Sequence, residues 1–119
     1  MNQLGQIGEE LGAKYLEQEG FVVLYKNWRY SRQEVDLIVE NENFLIFVEV
    51  KTRKNDLFGK PEVAVNAKKQ RFLIKAASAY CRTHKIKKEI RFDILAIIHN
   101  ESKTEINHFE NAFFPEFYL

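Results

Sequence analysis

A single cysteine, Cys81, stands among 119 residues, so no internal disulfide can form and no thiolate cluster can hold a metal. Its natural place is that of a small apolar packing residue. The three histidines, His84, His99 and His108, are too scattered for two of them to share a helix turn as zinc ligands. A glycine-rich phosphate loop is missing as well. These absences exclude zinc hydrolases, dithiol oxidoreductases and P-loop nucleotide hydrolases. No apolar run approaches the roughly 18 residues that span a membrane. The longest, Phe44 to Val48 and Ile94 to Ile98, are strand-sized. The first residues, Met1 to Gln6, lack the basic-then-apolar pattern of a secretion signal. The expectation is a cytoplasmic protein with no membrane segment, folded as one domain over residues 1–119.

The chain also has little net charge, +1 at neutral pH, but its charges are not evenly spread. Residues 1–50 carry 4 basic and 9 acidic side chains, residues 51–91 carry 13 and 3, and residues 92–119 carry 1 and 5. A block with a net of +10 therefore begins at Lys51, and such a block can follow a polyanionic backbone. Without carboxylates nearby, a solvated basic helix and loop would explain it equally well.

Leu4, Ile7, Leu11, Tyr15 and Leu16 recur at helical spacing, which predicts an amphipathic helix over residues 3–19 with Gly20 as its C-terminal cap. Glu10 and Glu17 fall opposite the apolar stripe, whereas Glu9 falls at its edge and reads equally as an acid facing the fold or as a partly exposed surface acid. Glycines at 5, 8 and 12 are costly in a helix and predict the close approach of another backbone. Phe21 to Tyr25, Trp28 to Tyr30, Glu34 to Val39 and Phe44 to Thr52 are rich in β-branched and aromatic residues. Together they read as three successive antiparallel strands, with a turn at Asn41 to Asn43. A loop over residues 54–61 leads into a helix from Glu62 to Thr83. Its buried side is Val65, Phe72, Leu73, Ala76, Ala77 and Tyr80. Strands over Ile90 to His99 and Glu105 to Phe109 complete the order αβββαβ plus a terminal strand, an α/β (α+β) fold with a central mixed sheet flanked by helices.

The chemistry sits in the second and third strands. Glu34-Val35-Asp36 and Glu49-Val50-Lys51 concentrate three carboxylates and an amine where Val or Ile would normally stand. Side chains alternate along a strand, so Glu49 and Lys51 share a face, as do Glu34 and Asp36, and a hairpin would bring the four together. Buried charges cost several kcal/mol each unless paired or bound to a cation. Phosphodiester hydrolysis needs an activated water and a neutralised phosphate, and Mg²⁺ or Mn²⁺ on oxygen ligands supplies both. Asp36 and Glu49 are the candidate ligands, with the carbonyl of Val50 as a third oxygen. Lys51 could orient the attacking water or stabilise phosphate charge, and Glu34 or Glu9 could complete the outer shell. An ordinary cross-face Glu–Lys ion pair is the simpler alternative. Arg53, Lys54, Lys68, Lys69, Arg71 and Lys75 are the candidate phosphate contacts. Trp28 to Tyr30 could stack on bases, though packing at the sheet edge explains them more simply.

The ordered motifs Gly8-Glu9, Glu34-Val35-Asp36, Phe47-Val48-Glu49-Val50-Lys51-Thr52-Arg53, Phe58-Gly59, Arg91-Phe92-Asp93 and Asn111-Ala112-Phe113 resemble the bacterial YraN-type family. That family belongs to the PD-(D/E)xK nuclease superfamily, with restriction-endonuclease-like and Holliday-junction-resolvase-like relatives. The resemblance implies a restriction-endonuclease-like core. It matches Asp36 to the metal-binding Asp, Glu49 and Lys51 to the (D/E)xK pair, and Glu9 to the helix acid of the resolvase-like branch. Val35 replaces the proline of the superfamily name, a change that moves no ligand. Gln70 resembles an accessory position, but Ile74 stands where an exonuclease subtype has tyrosine. The expected activity is Mg²⁺- or Mn²⁺-dependent endonucleolytic hydrolysis of DNA at branched or repair intermediates. The competing readings are a nucleic-acid-binding module that keeps the fold without turnover and a structural or protein-interaction domain. Asp93 reads as the structural partner of Arg91 or Lys51. The aromatic tail Ala112 to Leu119 suits a sheet cover or a homodimer contact.

Overall fold

The structure, a computed structural model, describes residues 2–115. Helix α1 (Gln3–Gln18) is followed by strands β1 (Val22–Tyr30), β2 (Gln33–Glu40) and β3 (Phe44–Arg53). A 3-10 turn (Pro61–Ala64) and helix α2 (Ala67–His84) then lead to β4 (Glu89–His99) and β5 (Thr104–Phe109). The strands form one mixed sheet in the order β1-β2-β3-β4-β5. Neighbours are antiparallel except β3 and β4, which run parallel and are therefore joined by the α2 crossover.

Each face of the sheet carries one helix. Leu45 and Phe47 of β3 pack with Leu73, Ala76, Ala77 and Tyr80 of α2. The alternate residues Ile46, Val48 and Val50 pack with Ala13 and Leu16 of α1. Both faces of β3 are thus dry, which is why its central six residues, Leu45 to Val50, are all buried. Glu49 is the sole charged residue among them.

Several expectations change in detail. Val22 to Tyr25 and Trp28 to Tyr30 belong to one strand, with Phe21 just before it, because a bulge between Val23 and Tyr25 absorbs an extra residue and keeps the pairing with β2. The helix expected from Glu62 is interrupted at Val65. Extended Asn66 restarts it, its side chain accepting from the Lys69 amide at 3.0 Å. Gln70 bonds back to the Val65 carbonyl at 3.0 Å, which gives it a local structural task at this junction. Trp28 packs edge-on to Tyr80, the sheet-edge role that its position suggested. In the tail, Phe113 is buried and stacks on Phe92, so this part covers the sheet. Residues 116–119 lie outside the described residues.

The crowding expected around α1 is real but comes from side chains. A Cβ on Gly8 would overlap Thr52 Oγ1 and lie 2.8 Å from Thr52 Cβ, and one on Gly12 would lie 3.0 Å from Leu95 Cδ1. Gly5 meets nothing closer than 3.9 Å. Gly8→Ala should gain up to ~1 kcal/mol of helix propensity. The forced separation of α1 from β3 should cost about 1–3 kcal/mol and prevail. Urea unfolding checks the sign, and Thr52→Ala in the same chain should recover part of the loss.

Candidate metal and phosphate site

Strands β2 and β3 pair regularly from Glu40↔Leu45 to Leu37↔Val48. One step further Asp36 stands opposite Glu49, and here a side chain replaces the backbone partner. Asp36 Oδ2 accepts the Val50 amide at 2.8 Å. The Val50 carbonyl faces the same side as its amide, toward Asp36. Strict alternation also slips at this point. Val35 and Ile38 both pack in the α2-side core, while Leu37 and Val39 pack on the α1 side. Asp36 sits at the slip, between the two faces.

Glu49 projects toward α2, as Leu45 and Phe47 do, and is only 2 % exposed. Its Oε2 lies 3.7 Å from Lys51 Nζ and 3.3 Å from Lys69 Nζ. Its Oε1 is buried with no hydrogen-bond partner among the described residues. Asp36 and Glu49 lie within hydrogen-bonding reach, a contact that holds only when one of them is protonated. Burial first, then the Glu49 charge, push the Asp36 carboxyl up to about 8, against the lowering effects of the Val50 amide and Lys69. Two carboxylates thus share one buried place that a proton or a cation must fill.

Glu9 reaches the same place from α1. Asn27 Nδ2 donates to Glu9 Oε1 at 2.9 Å, and Asn27 adopts a left-handed conformation (φ 53°) within β1. Burial raises the Glu9 carboxyl; Asn27 opposes this, and the charges of Asp36 and Glu34 add to it. Asp36, Glu49, Lys51 and Glu9 are therefore together, with Glu34 close enough to be felt by Glu9.

The basic residues divide. Lys68 and Lys69 line a cleft of about 440 Å³ with Lys51, Gln33, Ala64 and Asn66. Lys69, expected as a phosphate contact, is nearer Glu49 than Lys51 is. Arg71 and Lys75 are exposed along α2 and do not line the cleft. Arg53 donates to the Thr52 carbonyl, and the Lys54 carbonyl accepts from Asn100, at the far end of β3. Asn27 was not anticipated as part of the site. An asparagine is among the few residues that tolerate positive φ, but that signal is too common to single it out.

A divalent ion fits this donor set in a particular way. Among the described residues, no three His, Cys, Asp or Glu side chains form a ready metal cluster. Asp36, Glu49 and the Val50 carbonyl would supply three oxygens, and Mg²⁺ commonly takes one or two carboxylates with water and phosphate oxygens for the rest. The buried unpartnered oxygen of Glu49 is the observation that favours a cation. Asp93, by contrast, is fully paired. It receives Arg91 through two bonds of 2.9 Å, His108 Nε2 at 2.7 Å and the Asn111 amide at 3.0 Å. Burial alone would raise it, but these donors hold it below the usual carboxylate range.

The chain is similar to other bacterial proteins over nearly its whole length. A UPF0102 protein of Bacteroides thetaiotaomicron is 40% identical over 114 residues, covering 96% of this chain and 94% of its own length. One from Flavobacterium psychrophilum is 40% identical over 113 residues, covering 95% of each. One from Thermodesulfovibrio yellowstonii is 45% identical over 112 residues, covering 94% of this chain and 96% of its own. Residues 8–97, from the glycine that lets α1 meet Thr52 to the buried core of β4, match the uncharacterised protein family UPF0102, and the chain belongs to that family.

Proposed function

We propose that this protein hydrolyses phosphodiester bonds in DNA as a divalent-cation-dependent endonuclease, a member of the PD-(D/E)xK superfamily. The observation that carries the reading is the buried Asp36–Glu49 pair, with one oxygen lacking any donor and two lysines at its rim. A fold selected for stability alone would place apolar side chains here. When bound, Mg²⁺ or Mn²⁺ would lower the pKa of a coordinated water and neutralise charge on the phosphate. Asp36 and Glu49 would hold the ion, and the Val50 amide keeps the Asp36 carboxylate in place. Lys51 and Lys69 face the cleft, where their ammonium groups can bind a phosphate oxygen and orient water. Glu9, held by Asn27, adds a carboxylate from α1 on the Asp36 side. DNA is favoured as substrate because the lysine-lined cleft lies at the start of the +10 block.

Purified protein with Mg²⁺ or Mn²⁺ should cleave at least one of a panel of duplex, flapped and four-way DNAs. Glu49→Ala should lower the rate by about 10³-fold or more, and Lys51→Ala and Lys69→Ala each by about 10²-fold. Absence of cleavage across the panel, or undiminished cleavage by Glu49→Ala, would sink the proposal. Salt-sensitive binding without cleavage would instead leave a nucleic-acid-binding module.

A further inference from the structure

The segment between β3 and α2 leaves the cleft and returns to it. Lys51 lines the cleft before the segment, and Ala64 and Asn66 line it afterwards. Midway, the backbone makes a defined turn. The Leu57 amide donates to Asn55 Oδ1 at 3.0 Å, and the Gly59 amide donates to the Asp56 carbonyl at 3.1 Å. Gly59 has φ +115°, a conformation that glycine alone adopts without strain. Leu57 and Phe58 thus occupy the two corners of a hydrogen-bonded turn. Both project into water, 79% and 101% exposed, and Val63 on the following 3-10 turn is 74% exposed.

A lone exposed apolar residue needs no explanation. Two at the corners of an ordered turn, with a third close behind in sequence, are a different matter. They bury little, so the fold does not account for them. Arg53 at the end of β3 and Lys54 and Lys60 in the segment stand against two acids, Asp56 and Glu62. An exposed aromatic tip on a segment that leaves from and returns to a lysine-lined cleft matches the chemistry of an unpaired nucleic-acid strand, whose bases offer flat faces and whose backbone offers phosphates. A protein partner would call for a broader apolar patch, since stable interfaces bury about 800 Å² on each side.

We propose that the Leu57–Phe58 turn is a base-stacking wedge, which makes DNA with unpaired bases, rather than intact duplex, the substrate class. The proposal rests on the phosphodiesterase reading of the neighbouring cleft. Phe58 offers a ring on which any base can stack, without preference for sequence. Leu57 is the kind of side chain that enters a parted base step. In intact duplex the base faces are already stacked on one another, so the wedge gains little there. Phe58 is seven residues from Lys51 and so lies within about 25 Å of it. That spans only a few nucleotides from a phosphate held in the cleft.

Affinity is measured by fluorescence anisotropy in EDTA, on a forked DNA and a blunt duplex of equal length. The wild-type protein should prefer the fork. Phe58→Ala should weaken fork binding about tenfold, the range expected for one lost base–aromatic stack, and leave duplex binding within about twofold. Phe58→Trp should retain the preference. Because the side chain touches nothing, all variants should keep the wild-type circular dichroism spectrum. Equal affinity of the wild type for fork and duplex overturns the wedge, as does a Phe58→Ala variant that binds both like wild type. Loss of self-association in Phe58→Ala, seen by sedimentation without any change in fork preference, assigns the turn to a second copy and also overturns it. Cleavage with Mn²⁺ is a separate readout. Fork preference that depends on Phe58 in a protein that cuts no DNA refutes the hydrolytic reading and leaves the wedge standing.

Discussion

Asp36→Asn is expected to stabilise the protein at pH 8.5 by a few kcal/mol while abolishing its affinity for Mn²⁺. The asparagine oxygen can still accept the Val50 amide, and its amide can donate to Glu49, so the substitution imitates a permanently protonated Asp36. In the wild type, the folded state holds this proton up to about pH 8, whereas the unfolded chain sheds it near 3.8. A raised pKa contributes stability that is fully present below the unfolded value and is lost as pH rises through the folded one. The full shift from 3.8 to about 8 corresponds to a ceiling of roughly 6 kcal/mol, since each unit is worth about 1.4 kcal/mol, and sharing the proton with Glu49 lowers it. Glu9, raised in the same direction, adds to the slope.

Urea unfolding in EDTA should therefore show wild-type stability falling between pH 5 and 8.5, and a much flatter profile for Asp36→Asn. Mn²⁺ at about 100 times its Kd should restore about 2.7 kcal/mol to the wild type at pH 8.5 and nothing to the variant. Parallel pH profiles for the two proteins would contradict the shared-proton arrangement. Because the site is most costly when ionised and empty, a cation bound there would link its own affinity to the stability of the fold through the same two oxygens.

Asp93→Ala should have the opposite character, a loss of about 3–5 kcal/mol with the Asp36–Glu49 pair untouched. Asp93 is 1% exposed and accepts four hydrogen bonds, so its removal leaves Arg91, itself 8% exposed, with only the solvent-facing Glu110 carboxylate at 3.9 Å as a counter-charge. Arg91 is otherwise bounded by the rings of Phe21 and Phe44, which offer its charge far less than a carboxylate does. His108 loses its Nε2 partner and keeps the Tyr15 hydroxyl, at 3.3 Å from Nδ1. The melting temperature should fall by about 10–20 °C. Here the pH sign reverses. A lowered pKa supplies stability above the unfolded value and loses it as pH falls, so the deficit of the variant should shrink on acidification. Mn²⁺ affinity at a temperature where the variant stays folded should match wild type. A loss below about 1 kcal/mol would show that the Arg91–Asp93–His108 network is dispensable.

The two aspartates show what the sequence could and could not reveal. Both stand in apolar strands, and nothing local separates Glu-Val-Asp in β2 from Arg-Phe-Asp in β4 except the arginine. That arginine suffices for Asp93, whose partner two residues away on the same strand face was legible from period-two alternation, although Lys51 remained an equal candidate. For Asp36, alternation placed the carboxylate beside Glu49 but gave no account of the Val50 amide. That contact exists because β2 and β3 stop pairing at Leu37 and Val48. The α1 helix was readable to within a residue at its C-terminal end, because its apolar stripe and Gly20 agree. The break at Val65 and Asn66 was not, because an Asn cap inside an apolar pattern resembles any other polar residue.

By itself the sequence determined the element order, the mixed sheet with helices, the acidic pair in β2 and β3, and the basic block that follows. Each of these is local, set by side-chain period, turn residues and charge order along the chain. Only the tertiary structure decided that Lys69 would stand nearer Glu49 than Lys51 does, that Asn27 would hold Glu9, and that Asp93 would be satisfied by His108 rather than Lys51. Those contacts join residues 15 to 20 positions apart, through the α2 crossover, the β1 register and the β4–β5 hairpin. Sequence spacing carries no signal for such distances, because they depend on where packed elements come to rest.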